Sequence, residues 1–236
     1  MTGPSVVLVP GMLCDADLWS DVASGLPGAL PADITAPDIA AMAEQVLAVA
    51  DGPFVLVGLS LGAIVGFEVA RRAPERLAGL CAMSANAAAP RPDQLAAWTE
   101  MAARTGHGGF GSVVAEQLLP TMYAGRNPSE DKRNRFLGMA HRVGPDTFVE
   151  QLAAQATRTE AFSVLDRLSC PVLVLCGEQD QLCPPSFHRD IAAHARDSVL
   201  RVVPGAGHLL PIEAPHAVSA ALRDWLPSLD PSFVPA

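Results

Sequence analysis

The segment Phe54-Val-Leu-Val-Gly-Leu-Ser60-Leu-Gly62 has the pattern of a strand, a sharp turn and the start of a helix. Its first four residues are an apolar run typical of a buried strand, and the residues after it, as far as Arg72, have the spacing of a helix. So tight a turn strains the serine backbone, and the two glycines remove the Cβ atoms that would collide there. The pattern predicts that Ser60 Oγ is exposed at the carboxyl edge of a sheet, with the Leu61 N–H at a helix N-terminus.

Short apolar runs followed by helical patterns recur on both sides of this stretch. The predicted strands are residues 6–9, 34–36, 54–57, 77–83, 171–176 and 199–203, and the predicted helices include residues 39–50, 187–195 and 215–226. Alternating strands and helices favour an α/β fold with a mostly parallel sheet and helices on both of its faces.

Residues 87–165 interrupt this alternation. They contain several helix-like stretches, the breakers 106–111, 125–128 and 144–145, and no convincing strand. We therefore expect an α/β core formed by residues 1–86 and 166–236, with residues 87–165 as a helical lid inserted between two strands of the sheet.

His208 is the predicted general base. It follows the last predicted strand within Val203-Pro-Gly-Ala-Gly-His208, on a glycine-flanked loop at the same sheet edge as Ser60. The other histidines fit helices or the lid, where a solvated or packed imidazole is the simpler interpretation: His141, His188, His194 and His216. His107 begins His107-Gly-Gly-Phe-Gly, which imitates an oxyanion loop but comes almost fifty residues after the serine, so we interpret it as a mobile lid loop.

Asp180 is the predicted acid behind the histidine, because it lies just past the strand 171–176. A carboxylate there can fix the histidine tautomer and stabilise the imidazolium that forms during attack. Glu178 is the nearest rival, whereas the turn after the strand 77–83 has no carboxylate before Asp93. The resulting chain order of serine, aspartate and histidine agrees with this type of site.

The oxyanion hole is predicted to consist of two backbone N–H groups. One belongs to Leu61, and the other to Met12 in the turn after the first strand, where Gly11 lets the backbone bend. Loss of one such donor typically costs about 2.7–4 kcal/mol of transition-state stabilisation.

With these elements placed, the sequence resembles the α/β-hydrolase superfamily. It is most similar to the small lidded members, namely bacterial carboxylesterases, enol-lactonases and cofactor-free haloperoxidase-like proteins. The resemblance covers residues 5–90 and 165–226 and is strongest at 54–62, 74–80, 171–180 and 205–208.

Two departures from the family pattern are visible. The oxyanion turn commonly contains His-Gly, whereas this chain has Pro10-Gly11, which stiffens the loop. The family usually has an antiparallel hairpin before the first strand, and only four residues precede Ser5 here. We therefore expect a sheet of about six strands without that hairpin, with the weak strand near Ile34 exposed at one edge. A second copy of the chain could cover that edge, so a homodimer is a hypothesis.

The predicted function is that of a serine esterase that cleaves a small-molecule carboxylic ester, thioester or lactone through an acyl-serine intermediate. No metal or cofactor is implied. A carbon–carbon bond hydrolase, or a haloperoxidase- or lyase-type reaction on the same residues, is the alternative, and a non-catalytic binding module is the third. The candidate substrate-pocket residues, which could equally be packing residues, are Leu13, Leu118, Leu119, Met122, Tyr123, Phe136, Met139 and Phe148.

Composition excludes several other classes of function. The formal net charge is −9 with no basic run, so a nucleic-acid partner is not expected. No window approaches the roughly 18 apolar residues of a membrane span, and the N-terminus does not have the pattern of a signal peptide. The five cysteines, which include no C-x-x-C pair, are expected to be reduced thiols in a cytoplasmic protein.

Overall fold

A six-stranded, fully parallel sheet forms the centre of the molecule. The computed structural model describes residues 4–26, 28–125 and 127–229. The strands are β1 (Ser5–Val9), β2 (Leu30–Pro31), β3 (Phe54–Leu59), β4 (Leu77–Met83), β5 (Val172–Gly177) and β6 (Ser198–Val203), in the order β2-β1-β3-β4-β5-β6. The predicted α/β class and the number of strands are therefore confirmed.

Helices connect these strands. They are α1 (Ser20–Ala23), α2 (Ile39–Leu47), α3 (Leu61–Arg72), α4 (Pro92–Arg104), α5 (Phe110–Ser112), α6 (Leu119–Met122), α7 (Glu130–Thr157), α8 (Phe162–Leu165), α9 (Pro185–His194), α10 (Leu210–Glu213) and α11 (Pro215–Leu229). Short 3₁₀ turns cover Ala16–Trp19 and Pro74–Arg76, and π-helical turns cover Thr105–Gly109 and Val113–Leu118.

Two apolar clusters cover the two faces of the sheet. The strands β3 and β5 are buried at every position, as expected for central parallel strands. Their side chains alternate between the faces, so that Val55 and Val57 belong to one cluster and Phe54 and Leu56 to the other. The first cluster includes residues of α6, α7, α10 and α11, and the second includes residues of α2, α3, α8 and α9.

The second strand lies earlier than the sequence predicted. The prediction of a strand at 34–36 was wrong, because Leu30 and Pro31 pair with β1 instead. The side chain of Gln45 accepts hydrogen bonds from the Thr35 and Ala36 N–H groups at 3.0 and 3.3 Å, so these two N–H groups are not available to a neighbouring strand. Ile34 is buried in the core rather than exposed.

The β2 edge gives a partner little backbone to pair with. This strand has two residues, and one of them is Pro31, which has no N–H to donate. The homodimer stays a prediction. Among the described residues, no helix is both long and apolar enough to cross a membrane.

The segment between β4 and β5 packs over the carboxyl edge of the sheet. Its longest helix, α7, is interrupted at Gly144, which has φ 79° and ψ 166° and is followed by Pro145. Two arginines of α7 reach the loop and helix after β1: Arg135 pairs with Asp21, and Arg142 pairs with Asp15 at 2.6 Å. The prediction that residues 87–165 act as a lid remains a prediction.

Candidate active site

Ser60 lies in a strained turn between β3 and α3. Its backbone has φ 53° and ψ −112°, and its N–H donates to the Met83 carbonyl at 2.8 Å. A Cβ on Gly58 would lie 2.6 Å from the Gly62 carbonyl oxygen, and a Cβ on Gly62 would lie 2.2 Å from the Val9 oxygen. The two glycines are thus required by the close approach of backbone to backbone, as the sequence pattern indicated.

Two backbone turns meet beside Ser60. Leu61 is the first residue of α3, so its N–H has no acceptor within the helix. The turn after β1 closes with a hydrogen bond from the Cys14 N–H to the Gly11 carbonyl at 3.1 Å, and Gly11 and Met12 line the same cavity as Ser60. This arrangement suits the predicted oxyanion donors, Met12 and Leu61.

Leu13 gives this turn an unusual backbone. It has φ 61°, a left-handed conformation that is rare for a side-chain-bearing residue. Its N–H donates to Gln151 Oε1 of α7 at 3.0 Å, and Gln151 Nε2 donates to the Ile34 carbonyl at 3.2 Å. Gln151 is buried, and the sequence alone gave no sign of its role.

His208 and Asp180 form a buried hydrogen-bonded pair. The distance between His208 Nδ1 and Asp180 Oδ2 is 2.9 Å, and each residue is 3% exposed. The other oxygen, Oδ1, accepts from the Leu182 and Cys183 N–H groups at 3.0 and 2.9 Å. Burial by itself raises the pKa of Asp180, but the nearby His208 and these hydrogen bonds outweigh it, so the pKa is lowered.

The loop that presents His208 is fixed from several directions. Gly177 lets it approach, since a Cβ there would lie 2.3 Å from the Ala206 and Gly207 oxygens. The Glu213 carboxylate accepts from the Gly207 N–H at 2.9 Å and the Ala124 N–H at 2.8 Å. The Leu209 N–H donates to the Met122 carbonyl at 3.1 Å, so the His208 loop is tied to the segment between β4 and β5.

One cavity, of about 170 Å³, has both Ser60 and His208 in its wall. Two predicted pocket residues, Leu118 and Met122, also line it. The remaining lining residues are Gly11, Met12, Cys14, Leu59, Ile64, Asn86, Gln94, Trp98, Met101, Gln155, Arg158, Leu182, Cys183 and Leu209.

The other six predicted pocket residues lie in the packed core instead. They are fully buried side chains at the interface between the sheet and the segment between β4 and β5: Leu13, Leu119, Tyr123, Phe136, Met139 and Phe148. Large apolar side chains in a helical insertion serve first to attach it to the sheet. The cavity wall also contains polar side chains, which a prediction based on apolar residues alone does not include.

The rival residues lie away from the cavity wall. His107 is exposed on the π-helical turn after α4, and Glu178 is exposed with its carboxylate accepting from the Gly205 N–H at 3.2 Å. His188 is completely buried. Its Nε2 accepts from the Ala85 N–H at 2.9 Å, which makes it a packed imidazole.

Known proteins share this sequence pattern and this fold. The sequence model of the Alpha/beta hydrolase family matches residues 6–221. A pimeloyl-[acyl-carrier protein] methyl ester esterase of Neisseria meningitidis is 30% identical over 216 residues, covering 88% of this chain and 83% of that protein. This chain therefore belongs to the α/β-hydrolase family, and it is a hydrolase.

Solved structures agree with this assignment. A thermophilic esterase from Thermogutta terrifontis, solved with malate bound, superposes with a TM-score of 0.87 at 28% identity, covering 97% of this chain and 91% of that one. The enol-lactonase from Burkholderia xenovorans LB400 shares the fold with a TM-score of 0.79 at 19% identity, covering 96% of this chain and 92% of that one.

Proposed function

We propose that this chain hydrolyses a carboxylic ester, thioester or lactone through an acyl-enzyme on Ser60. Ester hydrolysis in general is supported by the esterase relatives. The observation that carries the proposal is that the strained Ser60 and His208, which is hydrogen-bonded to the buried Asp180, line the same cavity.

The reaction starts with proton transfer to His208. Because its Nδ1–H is donated to Asp180, the free Nε2 is the atom that accepts the Ser60 hydroxyl proton. Ser60 Oγ bonds to the carbonyl carbon, and the N–H groups of Met12 and Leu61 donate to the resulting oxyanion. The imidazolium formed in this step is stabilised by the Asp180 carboxylate.

Collapse of the tetrahedral intermediate breaks the bond to the alcohol or thiol. The leaving group takes the proton from His208 Nε2, and the acyl group stays on Ser60. A water molecule then gives a proton to the same Nε2 and attacks the acyl carbon. Ser60 regains its proton, and the carboxylic acid is released. In a lactone the leaving alcohol remains attached to the product.

Covalent labelling tests this proposal directly. Intact mass is measured after exposure to a fluorophosphonate, for the wild type, Ser60→Ala and Ser84→Ala. Ser84 is a matched control, since it is another serine with a positive φ, 47°, and is completely buried. We expect one adduct on the wild type and on the Ser84 variant, and none on the Ser60 variant.

The substrate class is tested on a panel of esters, thioesters and lactones of graded acyl length. Turnover of the panel that is lost in Ser60→Ala supports the acyl-serine route. A folded wild type that forms no adduct and cleaves none of the panel would contradict the proposal. Turnover of ketones or nitriles would then favour the carbon–carbon hydrolase or lyase alternative.

A further inference from the structure

The cavity at Ser60 has a buried arginine in its wall. Arg158 directly follows α7, is only 7% exposed and lines the cavity together with Ser60 and His208. Its guanidinium lies over the Trp98 ring, 5.5 Å from the ring centroid, and the Trp98 side chain is part of the same wall. The proposed reaction gives this cation no role.

The guanidinium is incompletely paired. Its Nη1 donates to Gln155 Oε1 at 3.2 Å, whereas Nε and Nη2 are buried with no hydrogen-bond partner. Within the described residues no carboxylate lies within ion-pair distance of Arg158. Glu68 lines a smaller cavity that also touches Arg158, but its carboxylate pairs with Arg71 at 3.0 Å.

Burying a cation without a paired anion costs free energy, and this chain has many acidic residues that could have supplied the anion. Removing a guanidinium from water disfavours its charged form, and here burial lowers the pKa of Arg158. The chain has 25 acidic residues against 16 lysines and arginines, yet none of the acidic residues forms an ion pair with Arg158 in the described structure. Such a group is typical of a binding site whose anion arrives with the ligand.

The neutral polar residues beside it fit the same interpretation. Asn86, Gln94 and Gln155 line the cavity with Arg158, and none of them adds a negative charge. Asp180, the acid of the proposed catalytic site, does not pair with Arg158, because its two oxygens accept from His208 and from the N–H groups of Leu182 and Cys183. A planar guanidinium with unused N–H groups matches the two oxygens of a carboxylate.

We propose that Arg158 binds a free carboxylate of the substrate, so that the enzyme prefers esters or lactones bearing a second, ionised carboxyl group, such as half-esters of dicarboxylic acids. This proposal rests on the proposed function, since it names the substrate class of the same site. In this arrangement the apolar residues of the wall contact the carbon chain between the ester group and the free carboxylate, and Arg158 binds the carboxylate.

The test compares monomethyl esters of succinate, glutarate and adipate with the corresponding dimethyl esters, in which the second carboxyl group is esterified and therefore uncharged. The measured quantity is the ratio of kcat/KM for monoester and diester, per ester group. We expect a wild-type preference for a monoester, and Arg158→Met is expected to lower this ratio about 10- to 150-fold, the equivalent of a lost charge-assisted hydrogen bond.

Two further variants separate charge from fold. Arg158→Lys keeps the charge and is expected to keep part of the preference. Arg133→Met removes an exposed arginine of α7 and is expected to leave the ratio unchanged. Fluorophosphonate labelling of each variant reports whether its site is folded. If Arg158→Met is not labelled, protection of the wild type from labelling by glutarate, but not by glutaramide, replaces it as the test.

The outcomes distinguish the two proposals. A wild type that is labelled at Ser60 but cleaves diesters as well as monoesters keeps the proposed function and overturns the role of Arg158. The same ratio in Arg158→Met and Arg133→Met overturns it too. If no ester is cleaved and no label is bound, the proposed function fails. A rise in Tm with glutarate in the wild type, absent in Arg158→Met, would still support the carboxylate site, and no rise would overturn it.

Discussion

Gln151 of α7 holds the backbone of Leu13, its amide oxygen 3.0 Å from the Leu13 nitrogen. Leu13 follows Met12, the proposed oxyanion donor, and has a left-handed φ of 61°. Because the same side chain also donates to the Ile34 carbonyl, one buried amide ties α7 to two loops of the core. The segment between β4 and β5 therefore supports the turn that holds the proposed oxyanion donor, and it also lines the cavity.

Replacing Gln151 with Met is expected to lower kcat about tenfold with little change in KM. The substitution leaves the buried Leu13 N–H without an acceptor, which costs about 1–3 kcal/mol and favours a different backbone for the turn. A displaced Met12 N–H weakens binding of the oxyanion more than binding of the ground-state ester. Steady-state kinetics on a neutral ester checks this, together with Tm.

Gln151→Glu separates a positioning role from a merely structural one. It keeps an oxygen for the Leu13 N–H and loses the donor to Ile34. We expect it to recover more kcat than the Met variant does. A Met variant with wild-type kcat and only a lowered Tm would show that the contact serves stability alone.

Asp180→Asn is expected to lower kcat on the order of 10⁴-fold while the protein stays folded. An asparagine has one acceptor oxygen, whereas Asp180 uses two, for His208 and for the loop N–H groups. If the oxygen stays on the loop, the amide NH₂ faces His208 Nδ1. The imidazole then takes the tautomer that cannot accept the Ser60 proton.

Glu178→Gln is the matched control for that variant. Glu178 is the rival acid two residues away, and glutamine keeps an acceptor for the Gly205 N–H. We expect kcat within about twofold of the wild type. A large loss at Glu178 with a small one at Asp180 would reverse the assignment of the acid.

The sequence allowed prediction of those parts of the site that backbone geometry dictates. The Gly-x-Ser-x-Gly turn, the histidine after the last strand and the aspartate after β5 follow from tight turns and from the common edge of parallel strands. The strand Leu77–Met83 was predicted with the bounds that the structure has. These features depend on residues close together in the chain.

The contacts that escaped prediction join distant residues. The Gln45 side chain accepts from the N–H groups of residues 35 and 36, which are ten and nine positions away, and so takes these groups out of strand pairing. Gln151 meets Leu13 across 138 positions. Arg158 is buried without an acid, although charged residues in a helical segment usually face water. No local pattern distinguishes such residues from solvated ones.

Gly62→Ala is expected to destabilise the protein by about 1–3 kcal/mol or to prevent folding. The added methyl group would lie 2.2 Å from the Val9 oxygen and 2.7 Å from the Pro10 oxygen, and neither backbone can move without shifting the oxyanion turn. Urea unfolding and the rate of fluorophosphonate labelling measure both effects. Gly111→Ala is the control, because nothing lies within 4 Å of its Cβ position. Equal stability of the two variants would contradict the steric argument.

His188 is expected to make the protein less stable as the pH falls from about 6.5 to about 4. Burial is the main reason that its pKa is lowered from 6.5 to about 4 in the folded state. Its Nε2 accepts from the Ala85 N–H, so a proton on Nε2 would break that hydrogen bond. The unfolded chain binds this proton below pH 6.5, whereas the folded chain excludes it down to about pH 4.

The free energy of unfolding should therefore decrease by about 3 kcal/mol across this window on account of His188. The lowered pKa of Asp180 affects stability only below this pH window. The stabilisation that it gives is lost as the pH falls below the unfolded pKa of about 3.9. Burial raises the pKa of Glu213, which works in the opposite direction. Urea unfolding of the wild type and His188→Gln at pH 7, 5.5 and 4 isolates the histidine, because the carboxylates are common to both. A stability difference between them that stays constant with pH would show that His188 can be protonated in the folded state.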